Sequence, residues 1–335
     1  MFLKAIKTAL TAAVLTLFVF AAWIIRELYR PFIPPGPEIV RIEKGKGVEA
    51  IARDLQKEKI LRLRRPFVWS YQLFFSRETL KAGEYQFVPP LRPKKILLDL
   101  AQGKIYLHLL TIPEGLTGRE ISGLLREQDF LAENSFHEAF LDKSHISSWD
   151  VEARDLEGYL FPDTYHFPRN TTADTIVETM VGEFKKTFGD DWKRRAQEIR
   201  MTVRDIVILA SLIEKETAVP EERKLVSAVF HNRLRIGMKL DCDPTIIYAL
   251  KQDGTYRGRL LKKDLDYPSR YNTYLHAGLP PGPICNPGKV SLEAALFPSR
   301  DNYLYFVSRN DGSHHFSATF LEHQRAVEKY RPAKN

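Results

Sequence analysis

A run without a single charge, Thr8 to Ile25, lies between Lys7 and Arg26. As a helix of 18 residues it spans about 27 Å, close to the hydrocarbon thickness of a bilayer. A cleaved signal peptide carries a shorter apolar stretch with small residues at a cleavage site behind it. This run ends instead in Trp23-Ile24-Ile25, which predicts an uncleaved transmembrane anchor over residues 8–25. Two basic residues flank each side, so the positive-inside rule is nearly balanced. The short tail, residues 1–7, is expected to stay in the cytoplasm, leaving the bulk of the chain outside it. A buried core helix is a poor reading so near the N-terminus. Pro31, Pro34, Pro35 and Pro37 make residues 26–37 a stiff linker leading away from the bilayer.

The remainder, about 300 residues, suffices for two domains. With 44% hydrophobic residues it is globular, not disordered or low-complexity. Cys242 and Cys285 are too few for a disulfide scaffold, and no CxxC pair points to zinc. The net charge of +8 is unevenly placed: residues 38–110 hold 15 Lys/Arg against 8 Asp/Glu. Such a basic segment suits an anionic lipid or polymer as readily as a plain solvated surface. No RNP, zinc-finger or helix-turn-helix signature is present, so no nucleic acid is expected.

Residues 39–67 alternate apolar positions, turn at Gly45 and Gly47, then show helical spacing at Ile51, Leu55 and Ile60. The layout returns 70 positions later: Ile42, Gly45, Ile51, Leu55 and Leu61 correspond to Ile112, Gly115, Ile121, Leu125 and Leu131. Each unit reads as strand, glycine turn, amphipathic helix. Between them a strand is predicted at Gly83–Val88 and a helix from Pro93 to Gln102, stopped by Gly103. Further on, LEGYLFPDTYHF at 156–167 sets Glu157 and Asp163 among four aromatics, which fill a core or stack on sugar rings equally well.

Thr202 and Asp205 make a capping box that starts a helix running Ile206-Val207-Ile208-Leu209-Ala210-Ser211-Leu212-Ile213. Apolar on every side, this helix is expected to be deeply buried. It then emits Glu214, Lys215 and Glu216, with Val207, Ala210 and Glu214 on one face. A carboxylate at the mouth of an apolar helix is partly desolvated, which disfavours its charged form and suits a general acid. The plainer alternative is that Glu214 and Glu216 mark where a core helix surfaces. Spacing alone does not choose between the two glutamates.

A second helix is predicted over Pro220–Ile236, closed by Gly237. Asp241-Cys242-Asp243-Pro244-Thr245 and Tyr271-Asn272-Thr273-Tyr274 follow, then the rigid loop Gly278–Pro283. Stiff loops exposing Tyr and Asn suit a groove for a polyhydroxylated chain, or simply connect elements. The end reads as a hairpin, Tyr303–Ser308 and His314–Ala318 around Asp311-Gly312, and a helix capped by Thr319 and Glu322. His314, His315 and His323 lack an HExxH pattern or a carboxylate at ligand spacing, so no metal site is expected.

Together these stretches resemble the MltG (YceG-like) family of membrane-anchored endolytic murein transglycosylases. The resemblance rests on LEGYLFPDTYHF at 156–167, ILASLIEKETAVPEERKLVSAVFHNRLRIGMKLDCDPTIIYAL at 208–250, YNTYLHAGLPPGPICNPG at 271–288 and YLYFVSRNDGSHHFSATFLEH at 303–323. It implies an α+β fold: transmembrane helix, LysM-like domain at 38–110, second β-α unit at 111–150 and catalytic domain at 151–331. It also implies an enzyme at the cell inner membrane, its catalytic domain periplasmic, that cuts the MurNAc–GlcNAc β-1,4 bond within peptidoglycan. Glu214 would be the catalytic acid; Glu216, Tyr271, Asn272 and Tyr274 would hold substrate. Such an enzyme closes a 1,6-anhydro ring with one carboxylate and needs neither metal nor organic cofactor. Its partners would be peptidoglycan glycan strands, the membrane and peptidoglycan synthases. A disulfide between Cys242 and Cys285 is open outside the cytoplasm. Two alternatives remain: a hydrolytic muramidase recruiting Glu216 or Asp243 as second carboxylate, and a non-catalytic glycan-binding scaffold.

Overall fold

Alternation over Ile39-Val40-Arg41-Ile42 buries Val40 and Ile42 and turns their neighbours to solvent, as a half-buried strand requires. The computed structural model describes residues 2–36, 38–131, 135–169 and 171–330; Pro37 of the expected linker and residue 331 lie outside them. The fold is mixed α and β, divided into two compact units. One holds the chain to Leu109 together with His166–Arg169, the other holds Leu110–Tyr165 and the chain after residue 170.

The first unit carries α1 (Phe2–Tyr29), β1 (Ile39–Ile42), α2 (Val48–Lys57), α3 (Arg64–Phe74), β2 (Gly83–Gln86) and α4 (Pro93–Gln102). Strands β1 and β2 pair antiparallel with Val40 opposite Tyr85. Ile51, Ala52 and Leu55 of α2, Phe67 and Val68 of α3, and Ile96, Leu97 and Leu100 of α4 close one core over them. Helix α1 is long and apolar enough to cross a membrane over Lys4–Tyr29. It continues past Ile25, where the anchor was expected to end, and docks on this unit. Ile24 and Leu28 are 2% and 5% exposed, and Glu27 is buried against Arg62 and Arg30. The proline-rich segment that follows is no free spacer, because Phe32 and Leu91 exchange backbone hydrogen bonds of 2.8 and 2.7 Å.

β3 (His108–Thr111) pairs with β4 (Thr164–Phe167). The second unit holds α5 (Gly118–Glu127), α6 (Ser135–Leu141), α7 (Ala173–Glu198), α8 (Val203–Glu216), α9 (Arg223–Arg235), α10 (Asp243–Gln252) and α11 (Lys289–Leu296). The hairpin β5 (Tyr305–Ser308) and β6 (His314–Ser317) and helix α12 (Phe320–Tyr330) end it. The internal echo is visible in the backbone: α2 and α5 start 70 positions apart, and Gly45 and Gly115 share a left-handed φ of +85° and +78°. A side chain at either turn would be strained.

Helix α8 is the axis of the second unit and packs against α9, α10 and α11. Thr202 and Asp205 form the expected capping box, and every residue from Ile206 to Ile213 is 2% exposed or less. The lone hydroxyl of that stretch has a use: Ser211 Oγ donates to Ile208 O and accepts the Ile284 N–H at 3.1 Å. The helix α7, which the sequence reading did not pick out, is broken at Gly189 and supplies Phe184 and Phe188 to the core.

Candidate active site

Helix α8 ends where its apolar run gives out, so Glu214 emerges from the core with a side chain still only 6% exposed. Both its oxygens accept hydrogen bonds. Arg223 Nη2, from the first turn of α9, donates to Oε1 at 3.0 Å, and the Gly288 N–H donates to Oε2 at 3.0 Å. Gly288 caps α11, so its N–H carries the positive end of that helix toward the carboxylate. Arg223 is itself 7% exposed, and its Nη1 lies 3.6 Å from Glu114 Oε2. One buried guanidinium is thus forked between two carboxylates. Burial first, and the charge of Glu214 second, push the Glu114 carboxyl above its ordinary value, against the pull of Arg223.

The approach at Gly288 is close: a Cβ there would fall 1.8 Å from Glu114 Oε1 and force that side chain aside, whereas at Gly115 the left-handed φ of +78° and not space favours glycine. Lys215, the neighbour of Glu214, reaches the Gly115 carbonyl at 3.2 Å and ties the same turn to α8.

Asn286, fully buried, holds these segments together. Its Oδ1 accepts the Leu160 N–H, its Nδ2 donates to Leu116 O and Glu157 Oε1, and its backbone carbonyl accepts the Gly115 N–H, all at 2.9 Å. Glu157 also accepts the Gly118 N–H at 3.0 Å. Glu157 and the Leu160 N–H of the motif at 156–167 therefore brace Asn286, and the four aromatics of that motif are buried and form no sugar platform. Tyr159 is 1% exposed and donates to Asp150 Oδ2 at 2.6 Å, while Tyr165 donates to Phe161 O at 2.6 Å. Asp163 is exposed.

Burial pushes the Glu157 carboxyl up to about 8 from 4.5. Between those values the native chain keeps a proton that the unfolded chain has lost. Stability is therefore greatest below the lower value and falls as pH rises toward the upper one. Glu157→Gln, which never ionises, is expected to flatten this slope: thermal melts should show the variant gaining on the parent from pH 5 to 8. Parallel curves over that range would contradict the assignment.

The other expected site residues have partners of their own. Glu216 accepts from the Cys242 thiol at 3.4 Å. Tyr274 donates to Asp243 Oδ1 at 2.6 Å, and Tyr271 lies against Tyr248 with ring centroids 5.0 Å apart. Asn272 is fully buried: its Nδ2 donates to Leu265 O and Tyr267 O, and its Oδ1 accepts the Tyr274 N–H. With its side-chain groups taken by the loop, Asn272 shapes the segment that carries Tyr271 and Tyr274. Cys242 and Cys285 are buried free thiols with different partners, Glu216 and the Ser211 carbonyl, so no disulfide joins them. His314 is held by Glu222 at 2.7 Å, and His323 stacks on Tyr305. Sequence reasoning missed Arg223, Glu114 and Gly288, whose relation to Glu214 is created by folding alone.

A family model described as the YceG-like family matches residues 40–329. An endolytic murein transglycosylase of Bacillus subtilis strain 168 is 32% identical over 312 residues, covering 88% of this chain and 85% of that protein. A protein of the same name from Streptococcus pneumoniae strain D39 is 30% identical over 325 residues, and the chain spans 58% of its length. The crystal structure of a YceG-like protein from Listeria monocytogenes is similar with a TM-score of 0.59 at 31% identity, over 86% of this chain and 98% of that one. The chain belongs to the YceG-like family.

Proposed function

We propose that this chain is an endolytic lytic transglycosylase. It cleaves the MurNAc–GlcNAc β-1,4 bond within peptidoglycan strands and leaves 1,6-anhydroMurNAc ends. The observation that carries the reading is Glu214, a nearly buried carboxylate at the mouth of the α8 core, received on both oxygens by fixed donors. The names of the curated relatives support the substrate class.

The reaction requires a proton on Glu214 at the start, with Arg223 held between Glu214 and Glu114. As the glycosidic C–O bond lengthens, Glu214 gives its proton to the departing oxygen, and an oxocarbenium-like centre develops on MurNAc. The new carboxylate is met at once by Arg223 Nη2 and the Gly288 N–H, the arrangement seen at 3.0 Å each. Donors placed in advance for a charge that forms during reaction lower the barrier without reorganising. The carboxylate then takes the proton of the MurNAc 6-hydroxyl, whose oxygen bonds to the anomeric carbon and closes the ring. Glu214 ends reprotonated, and no water is consumed.

A hydrolytic reading needs a second carboxylate. Glu216 and Asp243 are engaged by Cys242 and Tyr274, so Glu114, which shares Arg223 with Glu214, is the group that reading would recruit.

Residues 8–25 serve as a single-pass anchor in the inner membrane, with residues 111–150 and 151–331 in the periplasm as a second β-α unit and the catalytic domain. The order β1, α2, α3, β2, with the outer two strands paired antiparallel, supports a LysM-like glycan-holding unit at 38–110. Held there, the enzyme ends growing strands beside the synthases that make them. The test is the early product distribution from long uncrosslinked strands. Internal cutting yields mid-length fragments from the first time points; steady release of disaccharides with the long strands persisting would contradict the endolytic reading.

A further inference from the structure

Helix α3 carries two apolar faces where a surface helix needs one. Phe67 and Val68, with Tyr71 and Phe75 beyond, turn inward to the core of the first unit. Trp69 and Leu73 lie one turn apart on another side, and Leu73 and its neighbour Phe74 are 64% and 57% exposed. This outward face adjoins the membrane helix. The Trp69 ring sits 5.1 Å from that of Phe20 and 6.3 Å from that of Trp23, both on α1. Phe20 lies six residues inside Arg26, roughly 9 Å along the axis, and Trp23 roughly 4.5 Å. If α1 spans a bilayer up to Arg26, a helix touching Phe20 cannot stand in water. It lies at the boundary between headgroups and acyl chains, the depth at which interfacial helices bury their apolar side by about 5–10 Å. The charges fit that level: Arg64 and Arg65 open α3, and Arg77 follows it.

Resting on the reading of α1 as a membrane anchor, we propose that α3 is an interfacial helix. It inserts Trp69, Leu73 and Phe74 into the same leaflet and sets Arg64, Arg65 and Arg77 against the phosphates of anionic phospholipids. Tryptophan belongs at this level, with its ring in the apolar zone and its N–H among the headgroups. Long arginine stems reach from there to phosphate. The first unit is then fastened to the membrane at two places, the span and α3, and cannot swing freely about the end of α1.

The test uses the full chain in vesicles of phosphatidylethanolamine and phosphatidylglycerol, with a nitroxide on one introduced cysteine at a time. Native Cys242 and Cys285 are 1% and 0% exposed, so labelling of the folded protein goes to the new site. Leu73→Cys reports the α3 face, Leu15→Cys the span, and Lys57→Cys the aqueous surface. Collision with dissolved oxygen and with a water-soluble nickel chelate gives the depth of each. Label 73 is expected to favour oxygen and to lose several-fold of the nickel accessibility seen at 57. Water-like behaviour at 73 with bilayer-like behaviour at 15 would overturn the proposal and leave the anchor standing. Water-like behaviour at both would overturn the anchor and the proposal together. Replacing phosphatidylglycerol by phosphatidylcholine should move label 73 outward; an unchanged depth would overturn the contact with anionic lipid.

Discussion

Glu214→Gln is expected to remove about 10²–10⁴-fold of glycan cleavage, the contribution of a positioned general acid–base, while the protein still folds and melts cooperatively. The side chain keeps its size, so the α8 core from Ile206 to Ile213 is untouched. The amide oxygen still accepts one of the two hydrogen bonds that come from Arg223 and Gly288. What is lost is the proton. An amide cannot give one to the departing oxygen, nor can it take one from the 6-hydroxyl. Initial rates on purified strands, read beside a thermal melt, separate chemistry from folding. Near-normal turnover by a folded variant would remove Glu214 from the mechanism.

Arg223→Met should be the costliest single change to stability near the site. The guanidinium is 7% exposed and answers both Glu214 and Glu114. Methionine fills much of the space but leaves two carboxylates facing each other without a counter-charge. Removing one partner of a buried ion pair costs roughly 3–5 kcal/mol. The pH dependence has a definite sign. Burial and Glu214 already push the Glu114 carboxyl up, and loss of the guanidinium takes away the groups that oppose this. Native-state proton uptake then stabilises the variant at low pH, and that stability is lost as pH rises. Denaturant unfolding at pH 5 and pH 8 should show the larger deficit at pH 8; an equal deficit at both would mean that the carboxylates do not interact through Arg223. Cleavage should fall as well, since the carboxylate formed during reaction loses one of its two donors. Arg223→Lys restores the charge but not the fork, and is expected to recover stability more than rate.

Local signals were legible, and relations across the chain were not. The capping box at Thr202 and the charge-free stretch to Ile213 announce α8 and its burial, because both act within a few residues. The glycine stop at Gly103, the hairpin near Gly312 and the cap at Thr319 belong to the same class. Glu214 stood out for the same reason, as the first charge after an apolar helix. Arg223 sits in the charged stretch Glu221-Glu222-Arg223-Lys224, where nothing marks Glu222 and Arg223 as the two that turn inward, or Arg223 as the one that meets Glu214. Glu114 and Gly288 reach Glu214 from segments far apart in sequence. Desolvation of Glu214 could be read from its position; the guanidinium that answers it could not. Helix α7 did carry a signal, since Ile176, Val177, Met180, Val181, Phe184 and Phe188 repeat at helical spacing, with the break at Gly189 beyond them. The aromatics of 156–167 show the opposite failing: composition allowed core or sugar platform, and their burial, with the hydrogen bonds of Tyr159 and Tyr165, assigns them to the core. Likewise the prolines after α1 predict stiffness but not the pairing of Phe32 with Leu91.

The central claim is that the bond is broken by ring closure on Glu214 and not by water. The mass of the new ends decides it. Purified uncrosslinked glycan strands, digested by the full chain and analysed by mass spectrometry, should carry new MurNAc ends lighter by one water than a reducing end, and none with Glu214→Gln. New reducing ends at full mass would contradict the transglycosylase reading and turn attention to Glu114 as a water-activating base.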